Sequence, residues 1–287
     1  RMETRIGMNE PLASFLRIER AGADAWTARL ADLGWGKALG GDVLARAVLA
    51  ASGTGDTTAL HSLHAYFLRP APAGGGVLLR VASLREDGGR VQRRVALWAD
   101  KREICEVMIS FAATRDGPSY QVTPTALQLP APEALPNDVE LARAEGWPEL
   151  YLSPIEWRRI GPAWPFPRAP EAVSVRWTGW FRPRVPLPAE PQLHAAALVL
   201  LSDHSSHWGV ETRLGPDFPR HDFVSLDHAV WIHRPVRWDD WLLMTTASDV
   251  RHAGRALIRR EIFTREGSLV ASVAQEALVT ERDGASS

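Results

Sequence analysis

Two segments of the chain carry apolar residues at helical spacing, and each is followed by stretches in which apolar and polar positions alternate. In GGDVLARAVLAAS (Gly40 to Ser52), Val43, Leu44, Ala47, Val48 and Ala51 fall near one helical stripe, and the many small side chains permit close backbone approach. PQLHAAALVLLSDHSSHW (Pro191 to Trp208) is apolar all round in its middle, as in a helix that must be wrapped on most sides. Strand-like alternation follows the first helix over Leu60 to Leu68 and in a hairpin pattern near Arg90 to Ala113. After the second it runs over Phe223 to His233 and Ala256 to Thr280, with a turn at Arg265-Glu266-Gly267. The expected fold class is α+β, a buried helix enclosed by a curved antiparallel sheet, built twice.

A repeat supports the doubling. Arg69-Pro70 and Arg234-Pro235 lie 165 residues apart, and the same offset superposes Arg90 on Arg255, Arg94 on Arg259 and Ala112 on Ala277. Fifteen of the 21 prolines fall between Pro118 and Pro191, where regular ladders and helices are interrupted. The expected organisation is therefore an N-terminal unit over 1–115, a proline-rich connector over 116–189 and a C-terminal unit over 190–281. The connector holds Trp147, Trp157, Trp164, Trp177 and Trp180, so it should pack over the units, with a strand from Val173 to Phe181.

Composition narrows the function. At 287 residues, 45% hydrophobic and 23% charged, the chain can bury a large core. Its 33 Lys+Arg against 34 Asp+Glu give a formal charge of -1, which provides no field to collect nucleic acid or an anionic membrane. A single cysteine, Cys105, excludes intrachain disulfides and a cysteine-based zinc site. The apolar run Ala195 to Leu201 is far short of the ~18 residues of a membrane span. These readings point to a cytoplasmic location without a membrane or nucleic-acid partner.

The sequence has no GxSxG, GxxxxGK[ST] or HExxH motif. The informative positions are polar residues where the period calls for apolar ones. Leu269, Ala271, Val273, Gln275, Ala277 and Val279 share a strand face, so the Gln275 amide sits in an apolar row and is either part of a site or bonded to nearby backbone. Asp203 follows the apolar stretch of the second helix and is either a proton acceptor or an ordinary solvated helix end. Alternation places Ser225 and Asp227 on one strand face with Ala229 and Trp231, and leaves His228 among apolar neighbours as a core histidine. Asp203, His204 and His207 suggest metal ligands, but a third strong ligand is not evident, and no metal is expected. The arginines at 69, 90, 93, 94, 234, 255, 259 and 260 read as solvated hairpin charges.

HSLHAYFLRP (His61 to Pro70), SLDHAVWIHRP (Ser225 to Pro235) and GSLVASVAQEALV (Gly267 to Val279) closely resemble motifs of the acyl-CoA thioesterase II family. The resemblance runs in order from about Gly34 to Val279, and SLDHAVWIHRP is its most specific block. It implies a double hotdog fold, acyl-CoA as substrate, no cofactor, and a hydrolytic water held by an aspartate, a hydroxyl residue and a glutamine. These fall on Asp203, Ser225 and Gln275. The 165-residue offset sets Leu60 opposite Ser225 and Ser110 opposite Gln275, so the first unit lacks the trio and one working site per chain is expected.

A backbone N–H near Gly40-Gly41 is the expected oxyanion donor. The expected assembly is a homodimer or higher homo-oligomer, associated through the sheets. Asp42 stands where the family usually has glutamine, and SDHSSHW is more polar after its aspartate than the usual pattern, which bears on acyl range or packing. Rival readings are a non-catalytic acyl-CoA-binding or scaffold protein, and an enoyl-CoA hydratase, whose His-and-carboxylate motif is not found.

Overall fold

The computed structural model describes residues 10–34, 36–55, 58–122, 129–146, 153–164, 166–168, 176–235 and 237–282. Among these the α-helices are α1 (Leu12–Phe15), α2 (Gly40–Ser52), α3 (Asp138–Glu145), α4 (Pro191–Asp203) and α5 (Trp208–Leu214). The strands of the first unit are β1 (Glu19–Arg20), β2 (Ala25–Arg29), β3 (Ala59–Phe67), β4 (Gly76–Asp87), β5 (Arg90–Ala99) and β6 (Arg102–Ala112). Those of the second are β7 (Ile155–Ile160), β8 (Arg176–Pro183), β9 (His221–Ser225), β10 (Asp227–Ile232), β11 (Leu242–His252), β12 (Arg255–Thr264) and β13 (Leu269–Glu281).

The first unit runs β1-β2-β4-β5-β6-β3 and the second β10-β13-β12-β11-β8-β7, with β9 also on β13. Antiparallel pairing of β3 with β10 joins them into one sheet. His64 pairs with Ala229, its own counterpart at the 165-residue offset, so this seam lies on the approximate two-fold axis relating the units. The fold is a double hotdog. α4 is buried along nearly its whole length, as its all-round apolar sequence requires. Each of its leucines contributes roughly 1.5–3 kcal/mol by leaving water.

Two expectations shift. The proline-rich stretch does more than pack over the units, because β7 and β8 extend the second sheet where β1 and β2 extend the first. Its prolines fall outside β7 and β8 except Pro183, the last residue of β8. Residues 173–175 of the expected strand and Trp147 lie outside the described residues.

The offset also slips. The β5–β6 turn has two residues, Asp100 and Lys101, whereas Thr264 N–H bonds Ser268 C=O across three in the β12–β13 turn. Beyond that extra residue the units correspond at 166, so the counterpart of Gln275 is Ile109, which also faces inward, and not Ser110. The Ala112 to Ala277 match fails for the same reason.

Two arginines expected in solvent are instead buried, Arg93 at 2% and Arg260 at 1% exposure. Arg93 Nη2 meets Glu86 Oε1 at 2.5 Å and its Nε donates to Thr54 Oγ1 at 2.9 Å. No helix among the described residues is long and apolar enough to cross a membrane.

Candidate active site

Asp203 is the last residue of α4, and the C-terminal turn of that helix meets the N-terminal turn of α2. Two glycines make the approach possible. A Cβ on Gly41 would lie 2.7 Å from Leu200 C=O and 3.0 Å from Asp203 Cβ, and one on Gly40 would lie 2.9 Å from Asp203 Oδ2. Gly41 N–H donates to Asp203 Oδ2 at 2.8 Å. The carboxylate of one unit thus caps the positive end of the other unit's helix.

Gln275 Nε2 donates to Asp203 Oδ1 at 3.0 Å and to Ser225 Oγ at 2.5 Å. The structure therefore brings Asp203, Ser225 and Gln275 into one hydrogen-bonded chain, with Asp203 and Gln275 buried and Ser225 half-buried. Gln275 reaches this position because β13 alternates from Ala271 to Val279, with Ala271, Val273, Ala277 and Val279 buried beside it.

The strand holding Ser225 departs from the simple alternation expected of it. Leu226 separates β9 from β10 and resets the period, so Ser225 and His228, three residues apart, both turn inward. Asp227 does not share the face of Ser225; its Oδ1 accepts the backbone N–H of Glu276 at 2.7 Å.

His228 is buried as expected but is not remote. Its Nε2 lies 2.8 Å from Ser202 Oγ and its Nδ1 4.0 Å from Asp203 Oδ1. Burial pushes its pKa down to about 4 despite Asp203, so the ring is neutral near pH 7.

Arg260 is the member that the reading of its group as solvated hairpin charges missed. Its Nη1 donates to Ser202 C=O at 2.6 Å and His204 C=O at 2.9 Å, holding the carbonyl end of α4 on either side of Asp203. The available signal was its even register with Ile258 and Ile262 on the inward face of β12.

Asp42 does not reach the trio. Its Oδ1 accepts Arg46 Nε at 2.9 Å and its Oδ2 accepts Ala31 N–H at 2.8 Å, while Arg46 also donates to the carbonyls of Arg17 and Phe15. The pair anchors the segment before α2. Among the described residues no group of three His, Cys, Asp or Glu is arranged to hold a metal ion.

A cavity of about 380 Å³ opens beside this junction. It begins at Leu39, Leu200 and His204, the neighbours of Gly40 and Asp203, and is walled by Trp157, Trp164 and Trp208. Trp157 and Trp208 meet edge to face with centroids 4.9 Å apart. Burial pushes the pKa of His204 down to about 3 and that of His207 to about 4, and the nearby Arg260 charge acts in the same direction.

Two helix-in-sheet units fused through a shared sheet, with a carboxylate at one helix end set on the other helix's N-terminus, define a protein of the double hotdog class. Residues 31–112 match the acyl-CoA thioesterase N-terminal domain and residues 129–279 the acyl-CoA thioesterase C-terminal domain. The chain belongs to the acyl-CoA thioesterase II family.

Acyl-CoA thioesterase 2 of Haemophilus influenzae is 26% identical over 283 residues, covering 93% of this chain and 96% of its own. The crystal structure of acyl-CoA thioesterase II TesB2 from Mycobacterium marinum is 30% identical with a TM-score of 0.78, covering 95% of this chain and 99% of its own. A tesB protein of Mycobacterium avium subspecies paratuberculosis is 28% identical, also with a TM-score of 0.78, covering 93% and 97%.

Proposed function

We propose that the chain hydrolyses acyl-CoA to free acid and CoA by direct attack of a water held by Asp203, Ser225 and Gln275. One observation carries the reading: three side chains from α4, β9 and β13 join in a single hydrogen-bonded chain against the N-terminus of α2. Asp203 accepts a proton as the water oxygen bonds to the thioester carbonyl carbon, and Ser225 and Gln275 orient that water. Collapse of the tetrahedral intermediate breaks the C–S bond, and the proton passes from Asp203 to the departing thiolate.

Gly41 N–H is already given to Asp203. Gly40 N–H makes no hydrogen bond among the described residues, which makes it the better oxyanion donor at that helix end. One site per chain follows, since the first unit has Leu60 and Ile109 where the second has Ser225 and Gln275.

Asp203→Asn should lower kcat by at least about 100-fold in a thiol-release assay, the lower range for losing a general base. Near-normal turnover would remove Asp203 from the mechanism. The expected homodimer has a candidate surface on the outer face of the seam, where Tyr66, Met108 and Trp231 are exposed on β3, β6 and β10. Trp231→Glu should shift the sedimentation coefficient to that of a monomer if this face is the interface.

A further inference from the structure

The cavity beside Asp203 is not a plain hydrocarbon slot. Glu211, on α5, lines it and is 3% exposed. Its Oε1 accepts the indole N–H of Trp164. Its Oε2 has no hydrogen bond among the described residues and lies 4.0 Å from His207 Nε2. The nearby Arg159 does not form an ion pair with it, because the Arg159 guanidinium grips Glu145.

A carboxyl held in an aromatic wall with one oxygen unengaged is costly unless something hydrogen-bonds to it. A saturated alkyl chain offers it nothing. Burial raises the pKa of Glu211 to about 7, outweighing the opposing pull of the Trp164 hydrogen bond and the Arg159 charge.

Resting on the thioesterase reading above, we infer that this cavity is the acyl pocket and that Glu211 selects acyl groups bearing a hydroxyl set back from the thioester carbon. The carbon body of such a group packs on Trp157 and Trp208, and its O–H donates to Glu211 Oε2. An ammonium would meet the same oxygen, but Arg260 places a positive field on His204 and His207 in the same wall, which disfavours a second cation. The polar residues after Asp203 in SDHSSHW then suit the substrate, since His204, Ser205 and His207 all line this cavity.

The test measures kcat/KM for acyl-CoAs matched in length that end in methyl, hydroxyl or ammonium, with the wild type, Glu211→Gln and Glu211→Leu. At one or more lengths the wild type should favour the hydroxyl chain over its methyl match by at least about tenfold, as sites built around a polar partner do. Glu211→Gln should keep part of that preference, because its amide oxygen still accepts. Glu211→Leu should abolish it and raise turnover of the methyl chain.

A methyl preference at every length, a hydroxyl preference that survives Glu211→Leu, or an ammonium preferred over hydroxyl would overturn the inference. Calorimetric binding of the same CoA series to Asp203→Asn gives the ranking without turnover. If nothing is hydrolysed but the hydroxyl chain binds best, the hydrolytic reading fails and the pocket assignment stands. If all chains are hydrolysed and bound alike, only the pocket assignment fails.

Discussion

The two units differ in residues that face the core, and those differences set the proposed site in the second unit. At equivalent inward positions the second unit has Ser225, His228, Arg260 and Gln275 where the first has Leu60, Leu63, Val95 and Ile109. Gln275 stood out because it interrupts an apolar row, and Asp203 because it closes one. Arg260 interrupts the row of Ile258 and Ile262 in the same way, but its charge grouped it with the solvated hairpin arginines; the near approach of His228 was not legible, because alternation says nothing of what lies across the core. Asp42 shows the converse, since a polar residue at a conspicuous place turned out to be half of a buried ion pair. Asp42→Ala would leave Arg46 buried without its carboxylate and should cost about 3–5 kcal/mol in urea unfolding. A loss below about 1 kcal/mol would mean that the carbonyls of Phe15 and Arg17 suffice for the guanidinium.

The junction of α2 and α4 sets the geometry of the site, and its tolerance is small. Gly41→Ala places a methyl against Leu200 C=O and the Asp203 side chain, so the helix ends must separate. A displacement approaching 1 Å should lower kcat by roughly 100-fold while the chain remains folded. An unchanged kcat would show that the two helices can be re-spaced without disturbing Asp203. Both helices were readable from their apolar residues; α2 spans the residues expected of it, whereas α4 stops at Asp203, short of the expected Trp208, which opens α5 instead. The strand errors have local causes: a turn one residue longer in the second unit moved the register of β13, and the break at Leu226 reversed the faces on either side of it. Neither a turn length nor a break in pairing leaves a mark in hydrophobic period.

For the molecule as a whole, buried titratable groups oppose one another. An unfolded histidine binds its proton near pH 6.5, whereas His204, His207 and His228 have folded values of about 3, 4 and 4. Below pH 6.5 the unfolded chain therefore holds more protons, and stability falls on acidification. Glu211 at about 7 and Asp138 at about 6 act the other way. Each keeps a proton in the folded state that the unfolded chain has lost above about pH 4.5, so each costs stability as pH rises through that window. Glu211→Gln should accordingly steepen the acid-side loss between pH 4.5 and 6 by up to one proton, about 1.4 kcal/mol per pH unit, in urea melts. An unchanged slope would mean that Glu211 titrates alike in both states.

The helix end that receives Asp203 belongs to the half that has no trio of its own. A gene cut between the halves would yield a C-terminal fragment with all three proposed site side chains, an unpaired β10 edge and no amide against which to seat its aspartate. The sensitivity of the first half to substitution should therefore concentrate at Gly40 and Gly41, whose backbone rather than any side chain meets Asp203.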